Sequence, residues 1–577
     1  MTEHRVRGTR RVWVPALVLG LFAAILIGRL VQLQVLQHDD YSAQAKAELE
    51  GSTTLFARRG AILDRNGAVL AVSVDTWDIY VSARAWQDAS VALPSSEELA
   101  TLLATPAVDL REQVLRQEYG DVLVARDVAY EAGRTIVDAG ISGVVALPNS
   151  QRVYPEGDVG ASILGITGLD NDGLAGIEAA LDDLLGGTPG RSIYERDTSG
   201  DPIPFGQFIA EEPVPGMDVV LTIDRYLQRM AEKALKDAIE EHDAKGGTII
   251  VMDPATAEIL AMATWPAMEY STLDISDPAQ LELLRNRAVT DLYEPGSVMK
   301  VITASAAIDA GLVTPNTTYV DTGIAKIYDT EIRNWQDSVY GEQTMTGVLQ
   351  HSINTGAIFM AELLGEDRFL QYLDAFGFDV PSGIELTGEA VGILRRPDDP
   401  AWSPVDLATQ SFGQSISVTP IQMTTAVAAA INGGELLRPH LVREYVHPDG
   451  TTLRQEKIVR GRAVSEGTSA LIRQMMAAVI DPGWYHPGKP DHYSAGGKSG
   501  TANVAIPNGA YAEKHVASFI GFAPVDDPEV LVLVKLDENA DFETGTVAAG
   551  PVFAELVDES LAYLNVVPDA ASFAREP

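Results

Sequence analysis

From Val12 to Ile27 the chain is almost wholly apolar and carries no charge, and Arg5, Arg7, Arg10 and Arg11 precede it against a single Glu3. As a helix this run, with the adjoining Gly28, spans roughly 25 Å, enough for a thin or locally adjusted bilayer, and Arg29 can snorkel to the far interface. A basic flank stays on the cytoplasmic side. The expected arrangement is therefore a cytoplasmic tail at 1–11, an uncleaved anchor at 12–31, and everything beyond it outside the cell membrane. The competing reading is a cleaved signal peptide. Ala43-Gln44-Ala45 has the small-x-small form of a cleavage site, but it stands too far from the apolar run, with Arg29 between them.

At 577 residues the chain is too long for one core, and the usual domain size gives two to four units. The formal net charge of -39 argues against nucleic acid as a partner, because binding phosphates requires clustered Lys and Arg. Acidic runs such as Glu240-Glu241 and Asp526-Asp527 read as solvated surface rather than a metal site. With no cysteine, neither a disulfide framework nor thiol chemistry is available.

Residues 50 to about 205 show short strand-like runs and turn signals. Arg65-Asn66-Gly67 is predicted to turn a hairpin between Ala61-Ile62-Leu63 and Ala68-Val69-Leu70. The character changes near Val214-Pro215-Gly216: a strand is predicted over Val219 to Ile223 and an amphipathic helix from about Arg225 to His242. Strand signals at Gly247 to Met252 and Glu258 to Met262 flank the turn residues Asp253-Pro254-Ala255-Thr256. A second pair follows at Ser518 to Phe522 and Glu529 to Lys535, then a helical pattern from about Val547 to Leu564. The early and late pairs are expected to share one antiparallel sheet. Between them, Ser297 to Asn432 reads as mostly helical, with Ala-rich segments at Ser297 to Ala310 and Pro420 to Ile431.

Three local patterns carry chemistry. In Glu294-Pro295-Gly296-Ser297-Val298-Met299-Lys300 a turn precedes an apolar helical run, which puts Ser297 near a helix N-terminus and Lys300 one turn away on the same face. A serine hydroxyl is a weak nucleophile until a base takes its proton, and a lysine amine serves if burial and a neighbouring cation keep it neutral. His351-Ser352-Ile353-Asn354-Thr355 offers a hydroxyl and an amide two residues apart. Gly496-Gly497-Lys498-Ser499-Gly500-Thr501 reads as a strand with Lys498 and Gly500 facing one way and Gly500 leaving room for a ligand backbone. It lacks the glycine spacing and following helix of a nucleotide loop. Each pattern alone is an ordinary cap, turn or strand.

Together, in this order, with about 55 residues from the first to the second and about 145 from the second to the third, they resemble the penicillin-recognising serine acyltransferases, which include penicillin-binding proteins and serine β-lactamases. Arg59 to Gly67, Arg152-Val153-Tyr154-Pro155 and Gly173 to Glu178 are similar to the pedestal domain of class B penicillin-binding proteins. Val251 to Pro266, Arg287-Ala288-Val289 and Phe412-Gly413-Gln414 to Thr419-Pro420 resemble the matching transpeptidase domain, with septal and sporulation-type members most similar. No room remains ahead of it for a glycosyltransferase domain. The fold this implies is α+β: an antiparallel sheet flanked by helices with an inserted helical cluster (211–577), preceded by a mixed α/β elongated pedestal of the dimerisation type (32–210) and the membrane helix.

The resemblance implies a peptidoglycan D,D-transpeptidase. Ser297 would attack the carbonyl between the two terminal D-alanines of a stem peptide, with Lys300 accepting its proton, Lys498 as second cation and Ser352 relaying a proton to the leaving amine. Asn354, Ser499, Gly500 and Thr501 would bind substrate, and the backbone N–H groups of Ser297 and Thr501 would form the oxyanion hole. No metal and no cofactor is called for. Peptidoglycan stem peptides and β-lactams are the implied ligands, and a multi-span membrane glycosyltransferase with other division or elongation proteins the implied partners. Two departures from the family pattern, Ile353 where many relatives carry Ser and Ser499 where Thr is common, bear on specificity. The rivals are a carboxypeptidase or β-lactamase on the same fold and a non-catalytic β-lactam receptor or polymerase scaffold. A β-lactamase needs a deacylating base that the sequence does not offer, and about eleven cytoplasmic residues leave little for a sensor's output.

Overall fold

A computed structural model describes residues 6–42, 50–196, 202–505, 511–539 and 543–569. Arg5 and the tripeptide at 43–45 lie outside them. Contacts divide the chain into two units, one made of 1–58 with 187–215 and the other of 59–186 with 216–577.

The first unit opens with the helix Val6–Val31, which runs on into a π-helical turn at Gln32–Leu36. Its apolar stretch, Trp13–Leu36, has a mean hydropathy of 2.3 and is long enough to cross a membrane. The expected anchor ended at residue 31; the uncharged Gln32 and Gln34 let the apolar helix continue. The unit also holds a three-stranded antiparallel sheet with Gly190–Arg196 between Glu50–Leu55 and Pro202–Glu211.

The second unit begins with the predicted hairpin: Ile62–Leu63 pairs antiparallel with the long strand Val69–Ser82. Asp64 Oδ1 accepts the N–H groups of Asn66 and Ala68, each at 2.8 Å, and Gly67 takes the left-handed φ of 86° that the turn needs. The three segments that carried the pedestal resemblance meet in a buried ion cluster. Arg59 Nε lies 2.6 Å from Glu178 Oε2, Arg152 Nε lies 2.7 Å from Glu178 Oε1, and Arg59 Nη1 reaches Asp182 at 2.6 Å. One carboxylate thus pairs with two buried guanidiniums, and removing it would leave both without this counter-charge.

The central sheet has the order Ile259–Trp265, Gly246–Met252, Val530–Asp537, Tyr511–Ala523, Gly496–Ala505, antiparallel throughout. The early and late pairs do share it, through the pairing of Val530–Asp537 with Gly246–Met252. Both faces are covered, so Ile249 to Met252 and Val530 to Val534 are apolar without interruption. Ile249, Val251, Val532 and Val534 pack with Leu227 and Leu235 of the helix Arg225–Glu241 and with Phe553 and Leu556 of the helix Gly550–Tyr563. Ile250, Met252, Leu531 and Leu533 face a helical cluster that includes Met299–Asp309 and Pro420–Ile431. Both of these are core helices: Met299 to Ile308 are buried without a break, as are all twelve residues of Pro420–Ile431. Thr419 and Gln422 close the start of the second in a capping box.

Two readings need correction. Residues 318–344 form two small ribbons, Thr318–Asp321 with Gly341–Thr344 and Ile324–Ile327 with Thr330–Arg333. Their four-residue strands are too short for the alternation to show. The last helical pattern breaks after Gly545–Ala548, and a new helix starts at Gly550 with Pro551 in its first turn.

Candidate active site

The three patterns converge on one cleft of about 430 Å³, lined among others by Ser297, Ser352, Asn354, Ser499 and Thr501. Ser297 sits in a single 3-10 turn, Gly296–Val298, that leads into the buried helix Met299–Asp309. Lys300, on the first turn of that helix, is fully buried.

The turn is held by glycines. Gly296 has a φ of 54°, and a Cβ there would stand 3.0 Å from the Thr501 carbonyl oxygen. Gly413, with a φ of 84°, accepts the Gly296 N–H at 3.1 Å, and a Cβ on it would fall 2.1 Å from the Gly296 oxygen. Glu294 Oε1 accepts the Ser415 N–H at 2.9 Å. The segment Phe412-Gly413-Gln414 is thus pressed against the turn that presents the nucleophile.

Ser352 links the helices Met345–Gln350 and Asn354–Leu364 in a left-handed conformation with a φ of 55°, costly for a residue with a Cβ. Ile353 is fully buried in the main core and pins this turn. That burial is the physical reason an apolar residue serves in the middle of the second pattern.

Lys300 Nζ lies 3.0 Å from Ser297 Oγ, 2.5 Å from the Ser352 carbonyl oxygen, 3.2 Å from Ser352 Oγ and 2.8 Å from Asn354 Oδ1. A carbonyl and an amide oxygen can only accept. A neutral lysine therefore spends its two protons on Ser352 O and Asn354 Oδ1 and turns its lone pair towards the hydroxyls. The Asn354 amide nitrogen donates to the Arg333 carbonyl at 3.0 Å, which fixes Oδ1 towards the lysine. Burial, reinforced by the charge of Lys498, holds the Lys300 amine well below the usual lysine range. The neutral base that the chemistry requires is what this environment favours.

Lys498 is buried on the edge strand Gly496–Ala505, where its Nζ donates to the Ser499 carbonyl at 2.9 Å, and burial pushes its amine down to about 7. Alternation along the strand puts Lys498 and Gly500 inward and the half-buried Ser499 and Thr501 towards the cleft. The expectation that Gly500 leaves room for a ligand is corrected. A Cβ there would meet Ser518 Oγ at 2.5 Å and the Pro295 carbonyl oxygen at 2.8 Å, so the glycine lets the nucleophile turn approach the sheet.

A further group was not apparent in the sequence. The buried Asp321 accepts Thr355 Oγ1–H at 2.6 Å, the Asn334 amide at 3.0 and 3.1 Å, and the N–H groups of Tyr340 at 2.7 Å and Gly323 at 3.0 Å. Burial acts to raise its carboxyl, but the hydrogen bonds from Thr355, Tyr340, Gly323 and Asn334 outweigh it and hold the group below the ordinary carboxylate range. Asn334 Oδ1 in turn accepts the Thr355 N–H at 3.1 Å. Arg333 and Thr355 flank this hub, and between them they frame Asn354. Trp335, Gln336 and Tyr340 from the same segment line the cleft. Among the described residues, no group of three or more His, Cys, Asp or Glu side chains is placed to hold a metal ion.

The family model described as the penicillin-binding protein transpeptidase domain matches residues 247–558, and the penicillin-binding protein dimerisation domain matches 54–221. The chain is 33% identical over 560 residues to stage V sporulation protein D of Bacillus subtilis, covering 96% of this chain and 85% of that protein. It is 30% identical over 566 residues to peptidoglycan D,D-transpeptidase FtsI of Escherichia coli, covering 97% and 93%. Among solved structures, penicillin binding protein 2X from Streptococcus thermophilus superposes with a TM-score of 0.77 at 26% identity, covering 89% of this chain and 81% of that one.

Proposed function

The chain belongs to the class B penicillin-binding proteins and is a serine-type D-Ala-D-Ala transpeptidase, and we propose that it cross-links peptidoglycan stem peptides through an acyl-enzyme on Ser297. The observation that carries this assignment of residues is the contact of Lys300 Nζ with Ser297 Oγ, backed by two obligate acceptors.

In this reading Lys300 takes the serine proton as Oγ attacks the penultimate D-alanine carbonyl. Ser352, whose hydroxyl also faces Lys300, passes a proton to the departing D-alanine amine. Asn354 holds Lys300 and meets the substrate amide. Ser499 and Thr501 receive the terminal carboxylate, with Lys498 supplying charge behind them. The Ser297 and Thr501 N–H groups stabilise the oxyanion, a contribution of about 3–4 kcal/mol when one such donor is lost. Gly500 serves by letting the turn and strand meet. An amine from a second stem then releases the ester.

The apolar N-terminal helix, long enough to cross a membrane, supports a membrane location. We place its basic end in the cytoplasm, residues 32–210 as pedestal and 211–577 as catalytic domain outside, with a multi-span glycosyltransferase as partner. The test is to supply the full chain with uncross-linked wall strands and resolve the products. Cross-linked dimers with released D-alanine are expected. Trimmed tetrapeptides alone would reassign the chain as a carboxypeptidase.

A further inference from the structure

Beside the cleft around Ser297 lies a second hollow of about 690 Å³, built by the loop 481–492 against the end of the helix Glu466–Ile480 and the residues leading into the strand Gly496–Ala505. An aromatic file joins the two. Tyr340 and His351 line the cleft, and their rings stack with centroids 5.1 Å apart. His351 in turn faces the indole of Trp484, with 6.5 Å between centroids and 14° between planes, and Trp484 lines the second hollow. Gln350 Nε2 donates to the Ala478 carbonyl at 2.8 Å, which ties the turn carrying Ser352 to the helix from which the loop springs.

The loop presents its largest rings to water. Lys489 Nζ closes on Asp481 at 2.9 Å, and the Gly488 N–H donates to His486 Nδ1 at 3.1 Å. Yet Trp484 stays 61% exposed and its neighbour Tyr485 78%. Adjacent rings left in water at the rim of a hollow are available to a ligand. Charge indicates which kind. The lining carries Asp481 and Asp491 against Lys489 alone. Burial, with the charge of Lys498, holds the His486 ring below the usual histidine range, so it adds no positive charge at neutral pH. A hollow with carboxylate in excess and an open indole face suits a cation on an apolar stem.

The reaction at Ser297 calls for such a visitor on this side. In the transpeptidase reading above, on which this inference rests, Ser352 hands a proton to the departing amine, and by microscopic reversibility the same hydroxyl serves the arriving one. The arriving nitrogen, once its ammonium has shed a proton to water, bonds to the ester carbonyl carbon. The bond from that carbon to Oγ breaks, and the nitrogen's proton passes through Ser352 and Lys300 to Ser297 Oγ. The acceptor thus leads its amine in past Ser352. His351 is the next residue in the chain, and the file of rings runs from it to the second hollow. We infer that Trp484 and the hollow beside it hold the acceptor stem peptide, the indole face receiving the amine-bearing side chain on its way to the acyl-enzyme.

The test supplies the full chain in detergent with uncross-linked wall strands and reads how the acyl-enzyme partitions between cross-linked product and water-released tetrapeptide. Trp484→Ala removes the ring from an exposed position. Thermal melting and the rate of acylation by benzylpenicillin, which needs no acceptor, are recorded beside it. The ratio of cross-linked to trimmed product is expected to fall about tenfold, with melting and acylation unchanged. Trp484→Phe, which keeps an aromatic face, should recover most of that ratio. A soluble stem tripeptide with a free side-chain amine and no terminal D-alanine pair, added in excess, should restore transfer in the alanine variant, as a loss of acceptor affinity requires. An unchanged ratio in the folded alanine variant, equal loss of acylation and cross-linking, or equal defects in the alanine and phenylalanine variants would overturn the inference. A wild-type chain that trims stems but makes no cross-link would instead remove the transpeptidase reading itself, and the acceptor site with it.

Discussion

Lys300 Nζ stands 3.0 Å from Ser297 Oγ inside the protein core, with its protons directed to the Ser352 carbonyl and Asn354 Oδ1 and its lone pair left for the serine. Replacing it by methionine, which keeps the buried volume, is expected to slow acylation by β-lactams about 10²–10⁴-fold with little loss of fold. Lys300→Arg should rescue nothing, because a guanidinium does not give up its proton. Stopped-flow acylation of both variants checks this.

The Asn354 amide is neutral, and a carboxylate in its place would favour the protonated lysine. Asn354→Asp is therefore expected to raise the pKa of Lys300. Acylation should fall at neutral pH and recover as pH rises, moving the acid limb of the pH–rate profile upwards. A profile lowered equally at every pH would show that Asn354 acts otherwise.

Lys498 is costly to the fold. Its amine releases its proton at about 7 in the folded chain against 10.5 ordinarily, so between these values the unfolded chain binds more protons and stability rises with pH. Lys498→Met should abolish efficient acylation yet stabilise the protein by roughly 1–3 kcal/mol near pH 7, a gain that shrinks as pH approaches 10. Thermal melts across that interval measure it.

The catalytic patterns were legible because each is local: Ser297 with Lys300, Ser352 with Asn354, and the strand around Lys498 are each set within a few residues. That the early and late strand pairs share one antiparallel sheet was legible from their strand signals, whereas the order of its strands was not. The Asp321 hub was not, since it joins residues from four separated segments, none with a periodic pattern, and its polar side chains are ordinary turn formers in isolation. The role of Gly500 was misread for a related reason: Pro295 and Ser518, which close over it, are distant in sequence.

Asp321 offers a test of that hub. Asp321→Asn keeps the shape but replaces an all-acceptor group by one that also donates, facing Thr355, Asn334, Tyr340 and Gly323. Acylation is expected to fall about 10-fold or more as Arg333 and Asn354 lose their frame. Thr355→Val should act similarly, whereas Thr355→Ser, which retains the hydroxyl, should preserve the rate. Equal rates for the valine and serine variants would remove Asp321 from any positioning role.

Intact-mass spectrometry of the full chain after exposure to benzylpenicillin, beside Ser297→Ala, tests the central claim most directly. A single covalent adduct that maps to Ser297, persists over the measurement and is lost in the alanine variant is the expected result. An adduct retained by Ser297→Ala, or a folded wild-type chain that neither carries nor turns over the drug, would contradict Ser297 as the nucleophile.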